Sequence, residues 1–200
     1  MGHARRVGQM YAALSAANEA SAQLNDERQL YQRICDILVQ FGGMRLACVR
    51  LPEAGTHWLM ACGYAGDAAS YLAGARISVD PSLPEGRGLA GPAMRDNRTM
   101  VSNDFVAEPR LAPWHEGARR FGFASVACVP LRRAGEAVGV LILYSADTNY
   151  FDAELVTLVE RMAANVGHAL ERLEAERRMR ESEAFIVAGA VLANVIRSSA

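Results

Sequence analysis

The sequence is short of most features that would commit a chain to a chemistry at sight. Its four cysteines, Cys35, Cys48, Cys62 and Cys128, are scattered through 200 residues, with no C-x-x-C pair and no His/Cys cluster at zinc-ligand spacing. That argues against a disulfide scaffold or a structural zinc and fits reduced thiols. Long apolar runs are missing as well. The longest, at 185–196, is broken by Gly189 and Asn194 and falls short of the roughly 20 residues of a spanning helix, so no membrane insertion is expected. The start has no secretory h-region, because Arg5 and Arg6 lead into the polar, broken stretch Met10-Tyr11-Ala12-Ala13-Leu14-Ser15. A cytoplasmic protein is the expectation. Charge of one sign is also lacking. The net charge is -1, and the pairs Arg5-Arg6, Arg119-Arg120, Arg132-Arg133 and Arg177-Arg178 are dispersed. Nucleic-acid binding calls for clustered positive charge, and no such partner is expected. Ser/His/Asp groupings and metal-spaced carboxylates are absent; Asp80, Asp96, Asp104 and Asp152 fall at turns or helix ends, where Asp serves the backbone.

What is present is patterned. Hydrophobic residues make up 51% and charged residues 22%, an ordinary globular balance, and the length suits one domain with flanking elements. Over 8–24, Met10, Leu14, Ala17, Ser21 and Leu24 recur at four- and three-residue steps, the narrow seam of a coiled-coil helix. Asn25-Asp26 offers an N-cap for a second helix with the apolar stripe Leu30, Ile34, Ile37, Leu38 and Phe41, ended by Gly42-Gly43. Strands are expected at 45–51 and 58–63, with Trp58, Met60 and Cys62 on one face of the second and Leu59 and Ala61 on the other. A short helix at 67–72, a short strand at 76–79, a loop at 81–88, a helix at 89–97 and a brief strand at 100–102 follow. Residues 103–113 read as loop and 114–121 as a short helix ended by Gly122. Strands at 125–131 and 137–144 form the clearest hairpin, with 132–136 as its turn. After the N-cap Asp152, Leu155, Val159, Met162, Val166, Ala169 and Leu173 repeat the seam spacing in a long helix, and 174–183 is nearly all charged but rich in helix formers. Sequential hairpins with covering helices predict the α+β class. The two terminal seams predict a parallel homodimer through helices near 8–24 and 152–184.

Four segments carry a resemblance. Leu83-Pro84-Glu85-Gly86-Arg87-Gly88-Leu89-Ala90-Gly91 looks like the GxGLAG loop-helix junction of the GAF family. Thr99-Met100-Val101-Ser102-Asn103-Asp104 resembles the family's short strand ending in Asn-Asp. Phe123 to Leu131 is similar to its S-x-x-x-x-PL strand, and Val138-Gly139-Val140-Leu141-Ile142-Leu143 to its GVL strand. They stand in the family's order and span about 26–173. The resemblance implies a six-stranded antiparallel sheet with terminal helices on one face and a pocket on the other, roofed by short helices and loops. It divides the chain into a dimerisation helix (1–25), the GAF domain (26–173), and an exit helix leading into a following module (174–200). It also implies a regulatory sensor rather than an enzyme, of the kind linked to cyclic di-GMP turnover or to sensor kinases.

The family's known chemistries can be weighed on single residues. Gly86 to Gly91 spells G-x-G-x-x-G, but a dinucleotide site needs a parallel βαβ unit; here the glycines read as turn-formers with positive φ. Trp114 stands where bilin-binding relatives carry the thiol of a Cys-His pair, which argues against covalent bilin. His115 is the one roof candidate for an axial ligand, too little to support haem. Asn103-Asp104-Phe105 matches only part of the cyclic-nucleotide motif. The cysteine spacing of relatives that reduce free methionine sulfoxide is absent, and buried thiols acting as small hydrophobes are expected. The cofactor is therefore left unassigned. The expected pocket is lined by Trp58, Tyr64, Phe105, Arg110, Trp114, His115, Phe121 and Ser125, with Arg110 the partner of an acidic ligand. The leading reading is a small-molecule sensor that signals through dimer-forming helices. A ligand-free dimerisation spacer is the alternative, and a methionine sulfoxide reductase-like enzyme the third.

Overall fold

In a computed structural model, residues 2–67 and 69–198 are described, without side-chain detail at 69 and 189–198. The chain opens with α1 (His3–Gln23). Asp26 then adopts an extended backbone, its carboxylate accepts from the Gln29 N–H at 2.9 Å, and α2 (Glu27–Gln40) begins at the predicted cap. β1 (Leu46–Pro52) and β2 (Leu59–Ala65) follow, then α3 (Ala90–Arg95), β3 (Met100–Ser102), α4 (His115–Phe121), β4 (Ser125–Arg133) and β5 (Glu136–Ser145). Asp152 caps the last helix, α5 (Ala153–Ser198), by accepting from the Leu155 N–H at 3.0 Å. Residues 199 and 200, within the segment expected to lead into a following module, lie outside the described residues.

The sheet is antiparallel throughout, in the order β2-β1-β5-β4-β3. It has five strands among the described residues, where six were expected. The missing one is 76–79, which makes only a single bridge, between Trp58 and Ser78. It makes two backbone bonds there, from the Leu59 N–H to the Ile77 carbonyl and from the Val79 N–H to the His57 carbonyl, and the next acceptors, the Leu59 and Ala75 carbonyls, take the Arg50 guanidinium instead. Regular pairing with β2 stops there for want of free partners. The expected alternation in β2 also fails. A bulge sets Val49 opposite Gly63 but Arg50 opposite Ala61, leaving Cys62 as the extra residue. The β4–β5 turn is tighter than expected: Ala134 and Gly135, both at positive φ, make a two-residue connection.

Two apolar layers follow from strand parity. Ala47, Val49, Ala127, Val129, Leu131, Leu141 and Leu143 face α1, α2 and α5. Leu46, Cys48, Val126, Cys128, Val140, Ile142 and Tyr144 face α3, α4 and the loops. The terminal seams, read as a dimer interface, are spent within the chain: Met10, Leu14 and Ala17 of α1 and Leu155, Val159, Met162 and Val166 of α5 are buried in this first layer. Arg172 ties the two helices, donating to the Ser21 and Leu24 carbonyls at the end of α1 at 3.2 and 2.9 Å. Beyond Leu173, α5 leaves the core, and Met179, Phe185, Ile186 and Val187 are exposed.

Candidate functional site: a closed cavity on the roof side of the sheet

On the roof side the second layer closes around a small cavity. Its floor is Val126 and Cys128 of β4 with Ile142 and Tyr144 of β5; Tyr71, Ile77, Leu89 and Ala90 form the walls. Phe105, Leu111 and Trp114 close it, and Glu85 is the one charged residue at its edge. The space is about 20 Å³, room for a single water.

The glycines of the loop before α3 hold this geometry by close packing, not by positive φ as expected. A Cβ at Gly86 would lie 1.8 Å from the Asp80 carbonyl oxygen, and one at Gly88 would lie 2.6 Å from the Trp114 ring. The outer edge of the Trp114 ring thus fits against Gly88, and its indole N–H donates to the Arg76 carbonyl at 3.2 Å. Tyr71 packs edge-on to Phe123 and Tyr144. Burial pushes the Tyr71 and Tyr144 phenols well above the usual range, against which a hydrogen bond to Tyr144 works at Tyr71.

The expected pocket residues do not all meet. Phe105 and Trp114 line the cavity. Phe121 packs behind it on Tyr71 and Phe123. His115 lies edge-on to Phe105, with Nε2 3.0 Å from the Glu108 carbonyl oxygen. Ser125 is buried beyond the floor and donates to the Asp147 carbonyl at 2.8 Å. Tyr64 is about half exposed on β2, the edge strand, and does not reach the cavity. Arg110 is turned outward too: it forms a two-point pair with Glu108 at 2.8 and 3.0 Å, which holds that carboxyl below its ordinary range. Trp58 lies outside the cavity, with the Arg76 guanidinium 3.8 Å from its ring centre. Asn103 and Asp104 serve the backbone. Asn103 makes two bonds to Phe151 across the β5–α5 connection, and Asp104 accepts from the Ala107 N–H.

Sequence reasoning missed Tyr71, Ile77, Glu85, Leu89, Ala90, Leu111, Val126, Cys128, Ile142 and Tyr144. For the four strand residues the signal was present, since alternation puts 126 and 128 with 142 and 144 on one face. For Tyr71 and Glu85 no periodic signal exists, because both sit on short irregular segments.

All four cysteines are free. Cys48 and Cys128 flank Ile142 on the roof face of the sheet, two strand spacings or roughly 10 Å apart, too far for a disulfide without backbone movement. Burial pushes Cys48 up to about 11, partly offset by Arg50, and raises Cys128 well above the thiol range. No cluster of three or more His, Cys, Asp or Glu side chains arranged for a metal ion occurs among the described residues. No helix among them is long and apolar enough to cross a membrane.

Residues 25–171 match the GAF domain family. The chain belongs to that family. No curated protein matches it significantly, but solved structures do. A free methionine-R-sulfoxide reductase from Neisseria meningitidis, in complex with its substrate, superposes with a TM-score of 0.69 at 22% identity, covering 85% of this chain and 91% of that one. The GAF domain of a phosphoenolpyruvate-protein phosphotransferase from Coxiella burnetii gives 0.68 at 12% identity, covering 86% and 98%. A type II free methionine-R-sulfoxide reductase from Thermoplasma acidophilum gives 0.57 at 19%, covering 74% and 94%. At such identities the likeness shows the fold alone. It nonetheless corrects one expectation. The resemblance was read as implying a regulator and not an enzyme, yet GAF-fold neighbours of this chain are themselves reductases. Membership of the family therefore gives no ground for denying catalysis.

Proposed function

We propose that this GAF domain is a small-molecule-responsive regulatory module whose ligand opens the roof-side cavity. The observation that carries the reading is an aromatic-lined hollow with a carboxylate at its edge, on the sheet face opposite α5. A typical small-molecule site needs roughly 300 Å³ or more, so a ligand of that size must widen this cavity. Opening requires Trp114 and the adjoining α4 to swing away from Gly88, breaking the indole bond to Arg76.

β4 links the two faces. Val126 and Cys128 touch the cavity, while Ala127, Val129 and Leu131 pack on the helical layer that contains α5. Ligand entry would shift this strand against α5, and the exit helix would carry the change onward. The exposed Met179 and Ile186, seven residues apart on α5, supply one stripe for a second copy of the chain. Dimer formation is thus assigned to the helix beyond Leu173 more than to the spent seams. The proposed output, of the cyclic di-GMP or sensor-kinase sort, rests on the motif resemblance of residues 83–91, 99–104, 123–131 and 138–143 alone. Switching requires a ligand with different affinities for the closed and open states.

The experiment is native mass spectrometry of freshly purified protein, followed by thermal melts against a metabolite panel. A carried or added compound that raises the melting temperature by mass action supports the reading. A panel with no effect, together with a bare mass, supports the second reading, a ligand-free spacer, which the small cavity volume favours. Methionine sulfoxide turnover is assayed in parallel, and activity would establish a reductase instead. Sedimentation of the full chain and of a form ending at Leu173 tests the dimer, which should be lost on truncation.

A further inference from the structure

A second hollow lies outside the cavity, across the segment 74–79. It is an open groove of about 360 Å³ between the start of β2 and that segment. Its floor includes Arg50, Leu59 and Ile77, and Trp58, Arg76 and Leu72 stand around it. Arg50 is only 4% exposed. Two of its five N–H groups donate to the carbonyls of Leu59 and Ala75, at 2.8 and 2.9 Å. Its Nε is buried without a partner, and no carboxylate pairs with it among the described residues. A guanidinium is a permanent cation, and burying one without a counter-charge costs several kcal/mol. Arg76 also lacks a carboxylate partner among the described residues; it lies over the Trp58 ring, a stack that leaves its in-plane donors free.

We propose that this groove is a binding site for a small apolar carboxylate. The carboxylate is bound by Arg76 over the buried Arg50, and its body rests on Leu59, Leu72 and Ile77. Arg76 supplies charge-assisted bonds, Arg50 adds unneutralised positive charge beneath the floor, and the apolar floor selects against a bare oxyanion. Glu53, on the rim, bonds the Thr56 hydroxyl at 3.1 Å and opposes the anion by charge. Ile77 lines both the groove and the cavity. The site is distinct from the cavity and stands whether or not the cavity takes a ligand.

The test is a benzoate titration of the 200-residue chain, with Arg Nε–Hε and methyl resonances followed by NMR. Saturable binding should move the Arg50 Nε–Hε signal. Arg76→Gln, an exposed change that spares the fold, should weaken binding about tenfold, the worth of one charge-assisted bond. Arg50→Gln should abolish it, Glu53→Gln should tighten it, and neutral benzamide should not bind. The proposal is overturned by no saturation by benzoate, equal binding of benzamide, indifference to Arg76→Gln, or inorganic phosphate binding as tightly as benzoate. Movement confined to the Ile142 and Val126 methyls would place benzoate in the cavity and would also overturn it.

Discussion

Trp114→Ala is the sharpest probe of the closed cavity. The indole is 8% exposed, fits its outer edge against Gly88 and donates to the Arg76 carbonyl. Its replacement removes roughly 140 Å³ of side chain, and at about 24 cal/mol per Å³ an unrelaxed hole costs about 3.4 kcal/mol. The roof is built of short helices and loops, which can collapse part of the way, and the lost hydrogen bond adds back about 1 kcal/mol. The expected loss is therefore about 3 kcal/mol, read as the shift of a urea unfolding midpoint at constant slope. The enlarged hole should also take up indole, which would return part of the stability in a concentration-dependent way. A loss below about 1 kcal/mol, in the range of ordinary surface changes, would show that Trp114 does not plug the cavity. The closed-state argument would then fail with it.

Three further outcomes are expected. Arg172→Ala should cost about 1–2 kcal/mol by freeing the two carbonyls at the end of α1, and hydrogen exchange in the last turn of α1 should speed up; unchanged exchange would remove the link. At Asp152 the raising effect of burial is outweighed by the Leu155 N–H and His3, so its carboxyl titrates below its ordinary value. A lowered folded value stabilises above the unfolded pKa, near 4, and that stability is lost as pH falls through the folded one; Asp152→Asn should therefore flatten the acid limb of the stability curve and leave pH 7 dependence unchanged. Burial pushes Cys62 up to about 12, so Ellman's reagent at pH 8 should label it about a thousandfold more slowly in the native chain than in denaturant. Rapid native labelling would mean that the bulged strand opens.

The helices were legible because their signals are local. Asp26 and Asp152 cap where their side chains predict, and the seams of α1 and α5 do form helices with a buried stripe. What those seams pack against was not legible, since an apolar stripe has the same spacing whether it meets a partner chain or its own domain. The sixth strand was misread for a related reason. Residues 76–79 have strand composition, but Arg50, distant in sequence, takes the Leu59 and Ala75 carbonyls that further pairing would use. The site was read in part. Phe105 and Trp114 line the cavity, while Arg110 finds Glu108 two residues away, a pairing that turns it to solvent. The buried Arg50 gave no signal, because an arginine near a strand end is ordinarily an edge residue.

By itself the sequence determined the element order, the antiparallel hairpins, the caps and the GAF motifs. All of these depend on neighbours within a few residues or on strand parity. Only the tertiary structure decided that the GxGLAG glycines serve close packing, that the terminal seams are consumed within one chain, and that two hollows flank Ile77 with a buried cation beneath one of them. Those outcomes depend on distances between segments far apart in the chain, and local periodicity carries no term for them.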